Sequence, residues 1–163
     1  MRTGGFERFF VRRRIRLPRT THRDPCFFVT LATHARYPWF SRFPGLADDV
    51  AEILAVAALS RNTTLYSCCI MPDHVDLLVH DREVGDLLVH IKEMVALQAK
   101  HVRPGKTLWQ PSYYDHRLKR DESLEQATAY ILESPVRAGL VDHPTKYRWS
   151  GSTVWPGWRK LYW

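Results

Sequence analysis

In residues 74–80, HVDLLVH, apolar and polar side chains alternate. On a strand, Val75, Leu77 and Val79 share one face while His74, Asp76, Leu78 and His80 share the other. The run before it, TLYSCCIM (64–71), reads as a second strand, and Pro72 and Asp73 are turn residues between the two. So short a connection makes the pair antiparallel. CFFVTLAT (26–33) is continuously β-branched and aromatic and reads as a buried strand, followed by the loop YPWFSRFPG. LADDVAEILAVAALSR (46–61) reads as a helix with Asp48 and Asp49 near its start, where the helix dipole favours them. Residues 83–102 carry Val84, Leu87, Leu88, Ile91, Val95 and Val102 at helical spacing, and RPGK stops them.

LWQPSYYDHRL (108–118) is aromatic and basic and reads as a further strand. DESLEQATAYILE reads as an amphipathic helix capped by Asp121 or Ser123, with Leu124, Ala127 and Ile131 on its buried face. Ser134 then caps a short turn, PVRAG, which Gly139 terminates. Strands interleave with helices, but the tight central hairpin argues against a parallel doubly wound sheet. The pattern predicts an α+β domain, an antiparallel sheet with helices packed on one face. Its expected division is a basic arm (1–24), the domain proper (25–152) and a tail of aromatics and turns (153–163).

The chain has 163 residues, enough for one domain, and its 45% hydrophobic content supports a sizeable core. It carries no apolar run of about 18 residues and no signal-peptide core, so the expectation is a cytoplasmic protein without a membrane span. The net charge of +7 favours a polyanionic partner. Cys26, Cys68 and Cys69 are odd in number and lack CxxC spacing, which argues against a disulfide framework or zinc knuckle.

Two places carry candidate chemistry. His74 and Asp76 are either surface residues on an open sheet face or donors to a hard cation, Mg²⁺ or Mn²⁺. Tyr130 lies to the side of its helix's buried face, so its ring can pack while its hydroxyl reaches out. Ser134 is four residues on and comes up beside it. His80 is too far along the strand to share a metal with His74. Arg12, Arg13, Arg14 and Arg16 near the start, Arg117, Lys119 and Arg120 beside the aromatic block, and Arg137 after the helix would attract phosphate. Trp109, Tyr113 and Tyr114 are candidates to stack on unpaired bases or, equally, to fill the core.

Six blocks in order, RRRIRLP, FFVTLAT, MPDHVDLLV, LWQPSYYDHRLKRDESL, AYILESPVRAGLV and YRWSGS, resemble the REP-associated tyrosine transposases of the HUH single-strand endonuclease superfamily. The resemblance implies a ferredoxin-like α+β fold, with a two-histidine element on a sheet strand and a nucleophilic tyrosine on a nearby helix. It implies cleavage and rejoining of single-stranded DNA near hairpins, such as REP-like palindromes, through a 5′-phosphotyrosine intermediate and a divalent metal. By position, His74 matches the first histidine and Tyr130 the nucleophile. The family's metal is held by the histidine pair and a polar residue four after the tyrosine, so the implied ligands here are His74, Asp76, where the second histidine is usual, and Ser134, where an asparagine is usual. His116 matches a histidine common in its block and would contact DNA or position the site. These departures leave a second reading, a domesticated hairpin-binding protein, and the basic surface a third, a binder of structured RNA. A nucleoid-associated protein is implied, and both monomer and homodimer remain open.

Overall fold

The computed structural model describes residues 17, 18 and 24–162. Its strands are β1 (Cys26–Ala32), β2 (Thr64–Met71), β3 (His74–His80), β4 (Tyr114–Arg117) and β5 (Ser150–Gly151). Its α-helices are α1 (Trp39–Arg42), α2 (Pro44–Ser60), α3 (Val84–Val102), α4 (Leu124–Leu132) and α5 (Ser134–Arg137). The strands form one sheet in the order β4-β1-β3-β2-β5, every neighbouring pair antiparallel. The first four strands with α2 and α3 make the βαββαβ ferredoxin-like arrangement, and β5 extends the β2 edge. The α+β expectation therefore holds.

Helices cover both faces of the sheet, not one. Val29, Leu31, Ile70, Val75, Leu77 and Val79 pack against α2 and α3. Both helices lie there because each crossover between parallel strands is right-handed. On the other face Cys26, Phe28, Cys69, Met71 and Leu78 pack against α4 and against Tyr147, Trp155 and Trp158. The segment that reads as a tail is thus part of this second core, with Trp158 only 1% exposed. The alternation in β3 reports only its strictly apolar side, so it conceals the second layer.

Local differences follow the same logic. The loop expected at 37–45 contains the single turn α1, which buries Trp39 and Phe40. α2 starts at Pro44, so Asp48 falls in its second turn and accepts a hydrogen bond from Trp149 Nε1 at 3.0 Å. Ser123 is the cap of α4, accepting from the Gln126 N–H at 3.2 Å. Ser134 makes no capping bond to α5; Glu133 holds that position. Gly139 ends the turn at φ 72°, a conformation that side chains rarely adopt. The three cysteines are buried and unbridged, and burial pushes Cys68 up to about 11, which keeps it a neutral thiol. No helix among the described residues is long and apolar enough to cross a membrane.

Candidate functional site

Residues opposite one another on antiparallel strands share a face. The registers place Tyr114, Thr30, Asp76, Cys69 and Ser150 in one row across the sheet, on the α4 side. Flanking rows contain Ala32, His74 and Met71 on one side, and His116, Phe28 and Leu78 on the other. His74 and Asp76 therefore look toward the layer that carries Tyr130, not into open solvent.

Asp76 is 6% exposed, which is unusual for a carboxylate and requires partners. The Thr30 hydroxyl donates to its Oδ1 at 2.6 Å, which leaves Oδ2 facing His74 Nε2 at 3.4 Å. The other ring nitrogen, Nδ1, meets Asp73 Oδ1 at 2.7 Å. Asp73 is held in turn by Arg36, whose Nε lies 3.4 Å from Oδ2. The imidazole is thus fixed between two carboxylates. Burial disfavours charge on the His74 ring, but bonding to Asp76 and Asp73 and their charges outweigh it and raise its pKa above the ordinary histidine value.

That shift gives a stability prediction. The folded chain holds the His74 proton more tightly than the unfolded chain does. Its contribution is present in full below pH ~6.5, and is lost as pH rises through the raised folded value. Urea unfolding of wild type and His74→Gln from acid to mildly alkaline pH should show this decline in wild type and its absence in the variant.

The donor set fits a hard divalent cation. Nε2 and Oδ2 at 3.4 Å are close enough to bind one ion with metal–ligand bonds of about 2.1 Å. Each donor is oriented by an outer partner, Asp73 behind the ring and Thr30 behind the carboxylate, as metal ligands commonly are. Among the described residues no group of three or more His, Cys, Asp or Glu side chains is gathered for a metal. Two protein donors suit Mg²⁺ or Mn²⁺, which keep water and substrate oxygens in their shells.

Tyr130 is half-buried on α4, and its ring centroid lies 6.1 Å from that of Phe28. Phe28 is the diagonal neighbour of Asp76, a separation of about 7–8 Å in a sheet. The Arg137 guanidinium stacks 3.8 Å from the Tyr130 ring centroid. Arg137 Nη2 donates to the Tyr130 carbonyl at 2.7 Å and to Ser134 Oγ at 2.8 Å, and Ser134 donates to the same carbonyl at 3.3 Å. The Ser134 hydroxyl is therefore engaged with the end of α4.

The remaining candidates divide. Tyr113 and Tyr114 are exposed at 36% and 57%, but only the ring of Tyr114 is on the site face; the Tyr113 hydroxyl lies beside Gly85 of α3, on the opposite side of the sheet. His116 shares that face, and its Nε2 meets the Glu122 carboxylate at 2.8 Å, tying β4 to the segment before α4. Lys119 and Arg120 are exposed between β4 and α4. Arg117, one residue from His116, points to the opposite face and pairs with Asp24 at 3.0 Å. Trp109 is 7% exposed, packs on Phe40 and donates to the Lys92 carbonyl at 3.0 Å, so its ring belongs to the first core and has no free face for a base. Arg12, Arg13, Arg14 and Arg16 lie outside the described residues. Leu17, just after them, packs against the second core, and Trp155 Nε1 donates to the Pro18 carbonyl at 3.1 Å. His80 is turned away, bonded to the Pro25 carbonyl at 2.8 Å.

Asp73, Thr30 and Arg36 were not among the residues singled out in the sequence. Asp73 is signalled by standing next to His74, whereas Thr30 becomes visible only with the β1–β3 register.

No curated protein sequence matches this chain. Among solved structures, a REP-associated tyrosine transposase bound to a REP hairpin is similar at a TM-score of 0.66, covering 90% of this chain and 87% of its own at 17% identity. A candidate transposase from Deinococcus radiodurans gives a TM-score of 0.48 at 22% identity, over 65% of this chain and 88% of its own. The first agrees with the βαββαβ sheet described above. The family model for IS200-like transposases matches residues 27–134, from β1 through the strand of His74 and Asp76 to Ser134 at the start of α5. That span is well over half of the chain and contains Thr30, His74, Asp76, Tyr130 and Ser134, and the chain belongs to the IS200-like transposase family.

Proposed function

We propose that this protein cleaves and rejoins single-stranded DNA beside a hairpin, with Tyr130 as nucleophile and Mg²⁺ or Mn²⁺ held by His74 and Asp76. One observation carries the reading: Tyr130, His74 and Asp76 of a single chain face the same layer of the sheet, linked through Phe28 and Thr30. In the first step the Tyr130 phenol oxygen bonds to a backbone phosphorus and the P–O3′ bond breaks. The phenol gives up its proton to water, and the departing 3′ oxygen takes one from water. A 5′-phosphotyrosine remains, and a free 3′-OH reverses the step. A bound divalent ion supplies Lewis-acid polarisation of the phosphate. His74 and Asp76 supply the donors, Asp73 and Thr30 keep them aimed, and the α4 layer limits water around Asp76.

The DNA would lie over Tyr114, His116, Lys119, Arg120 and Arg137. These cations contact phosphate without reading sequence, while the exposed Tyr114 offers a stacking surface. A hairpin of the REP type is the partner we expect, by analogy with the structural relative. One chain supplies the parts of one site, so a monomer suffices.

One observation favours the second reading, a hairpin-binding protein that no longer cleaves. The Ser134 hydroxyl is engaged with Arg137 and the Tyr130 carbonyl, so joining a metal's shell would require it to give up those bonds.

The test is to incubate the chain with labelled hairpin-bearing strands in Mg²⁺ or Mn²⁺ and digest any denaturant-stable complex for mass mapping. The expected result is a nucleotide adduct on the peptide containing Tyr130, abolished by chelator. Tight DNA binding with no adduct in either metal would overturn the enzymatic reading in favour of the binder.

A further inference from the structure

Several arginines of the chain stack on aromatic rings, Arg103 on Tyr37 and Arg159 on Trp158 among them, and Arg137 is the one seated on Tyr130. Its side chain does not extend into solvent but folds back over the last turn of α4, on the Tyr130 ring. Both protons of Nη2 are engaged, by the Tyr130 carbonyl and Ser134 Oγ. Nε and Nη1 make no bond to the described residues, and no carboxylate among them pairs with this guanidinium, unlike Arg36, Arg117 and Arg148. A guanidinium pinned at one edge, with donors left over, is a preorganised receptor for a phosphate. It is also seated within reach of any group joined to the Tyr130 oxygen.

The charge balance points the same way. On the sheet side Asp73 is paired with Arg36 and Asp76 would share the metal, so the charge that a scissile phosphate brings to the tyrosine side needs a cation of its own. A fixed cation there meets negative charge where it develops, and it needs no rearrangement to do so.

We propose that Arg137 is a catalytic residue: seated on the Tyr130 ring, it grips the scissile phosphate and neutralises it as the phenol oxygen attacks. This rests on the cleavage reading above and assigns one cation of the DNA surface to one phosphate. The Tyr130 O–P bond forms and the P–O3′ bond breaks as before, while Arg137 keeps its proton throughout. Its stack on the ring and its bond to the Tyr130 carbonyl also fix the ring, so nucleophile and phosphate are positioned by the same side chain.

The test compares wild type with Arg137→Gln, Arg137→Lys and Lys100→Gln. Lys100 is on α3, on the far side of the sheet. Thermal melting first verifies that each variant folds. Single-turnover adduct formation at saturating DNA should fall by about 100-fold or more in Arg137→Gln. Arg137→Lys, which keeps charge without the planar fork, should fall by a smaller factor, and Lys100→Gln should stay at the wild-type rate. Rates for folded Arg137→Gln within about threefold of wild type would overturn the proposal while leaving the Tyr130 reading intact.

A second measurement needs no cleavage. Binding is compared across strands in which one phosphate at a time is replaced by a neutral methylphosphonate. Wild type should lose affinity at one particular phosphate, and Arg137→Gln should be indifferent to that replacement while responding normally elsewhere. A wild-type chain that forms no adduct removes the cleavage reading. Coupling at one phosphate would then still identify Arg137 as its receptor, and equal profiles for wild type and Arg137→Gln would overturn the proposal outright.

Discussion

Tyr130→Phe is expected to eliminate the covalent protein–DNA complex while leaving both the fold and the grip on DNA in place. The substitution removes one oxygen. The ring keeps its neighbours Phe28, at 6.1 Å, and the Arg137 guanidinium, at 3.8 Å. That cation–π contact, about 0.5–1 kcal/mol at an exposed site, is as available to phenylalanine as to tyrosine. Unfolding free energy should therefore change by less than about 1 kcal/mol. Affinity for a hairpin-bearing strand should stay within about twofold, because it depends on cations and exposed rings that the change does not touch. Adduct formation has no such reserve: without the phenol oxygen there is no atom to form the phosphoester, and the rate should drop by at least about 10³-fold. Denaturing gels, filter binding and chemical unfolding on the same preparations check all three quantities. An adduct that survives in Tyr130→Phe would move the nucleophile to another residue.

That separation of binding from chemistry reflects how the site is distributed over the fold, and also how much of it the sequence discloses. The strand His74–His80 and the helix around Tyr130 are both legible from local periodicity, because each buries an apolar side at the spacing of its own backbone. Local periodicity does not say what lies over a second face. The polar side of the strand reads as half-wet, yet it is covered by α4 and by Trp155 and Trp158 from the end of the chain. Leu78, apolar and on the same side as Asp76, is the one local sign of that cover. Trp109 shows the same limit in reverse. Its aromatic and basic surroundings suggest a base-stacking ring, but the bridge from Thr33 to Trp109 draws it under Phe40. That pairing spans most of the domain and leaves no trace in the local pattern.

The supporting groups of the site are hidden for a related reason. Thr30 meets Asp76 across 46 residues of sequence, through a strand register that no short motif encodes. Arg36 reaches Asp73 from a loop whose Ala35 and Arg36 both adopt positive φ, a conformation that their side chains do not advertise. Arg137, by contrast, is visible in the sequence as a cation near the tyrosine. What needed the structure was its seat on the ring. The candidates for chemistry could thus be named from the sequence, whereas the side chains that orient them required the tertiary fold.

Asp76→Asn should cost the site its metal without costing the protein its fold. An amide keeps the size of the side chain and an oxygen to accept from the Thr30 hydroxyl, now at 2.6 Å. It replaces the oxygen facing His74 Nε2 with a group that cannot ligate as an anion. Loss of an outer-shell partner alone typically weakens metal binding by about 10–100-fold, so loss of a direct carboxylate donor should exceed about 100-fold for Mn²⁺. The proton balance gives an independent check. His74 must be neutral to ligate, and the carboxylates beside it raise its pKa. Wild-type Mn²⁺ affinity should therefore rise with pH, by up to about tenfold per unit below the folded pKa of His74, with one proton released on binding. Without the Asp76 charge His74 holds its proton less tightly, so the variant should release fewer protons at the same pH. Calorimetric titration with Mn²⁺ in buffers of differing ionisation heat, from about pH 6 to about pH 8, measures both effects. Stability should move the other way. In acid the variant lacks the ion pair with protonated His74 and should be weaker than wild type. Above the folded pKa it is relieved of a carboxylate that is 6% exposed and no longer opposed by a charged imidazole, and it should be at least as stable. A variant that bound Mn²⁺ as tightly as wild type, or a wild-type affinity flat across this range, would remove Asp76 from the metal site. The predicted crossing of the two stability curves would mean that this buried charge is retained for the phosphate chemistry it serves, at some expense to the fold that contains it.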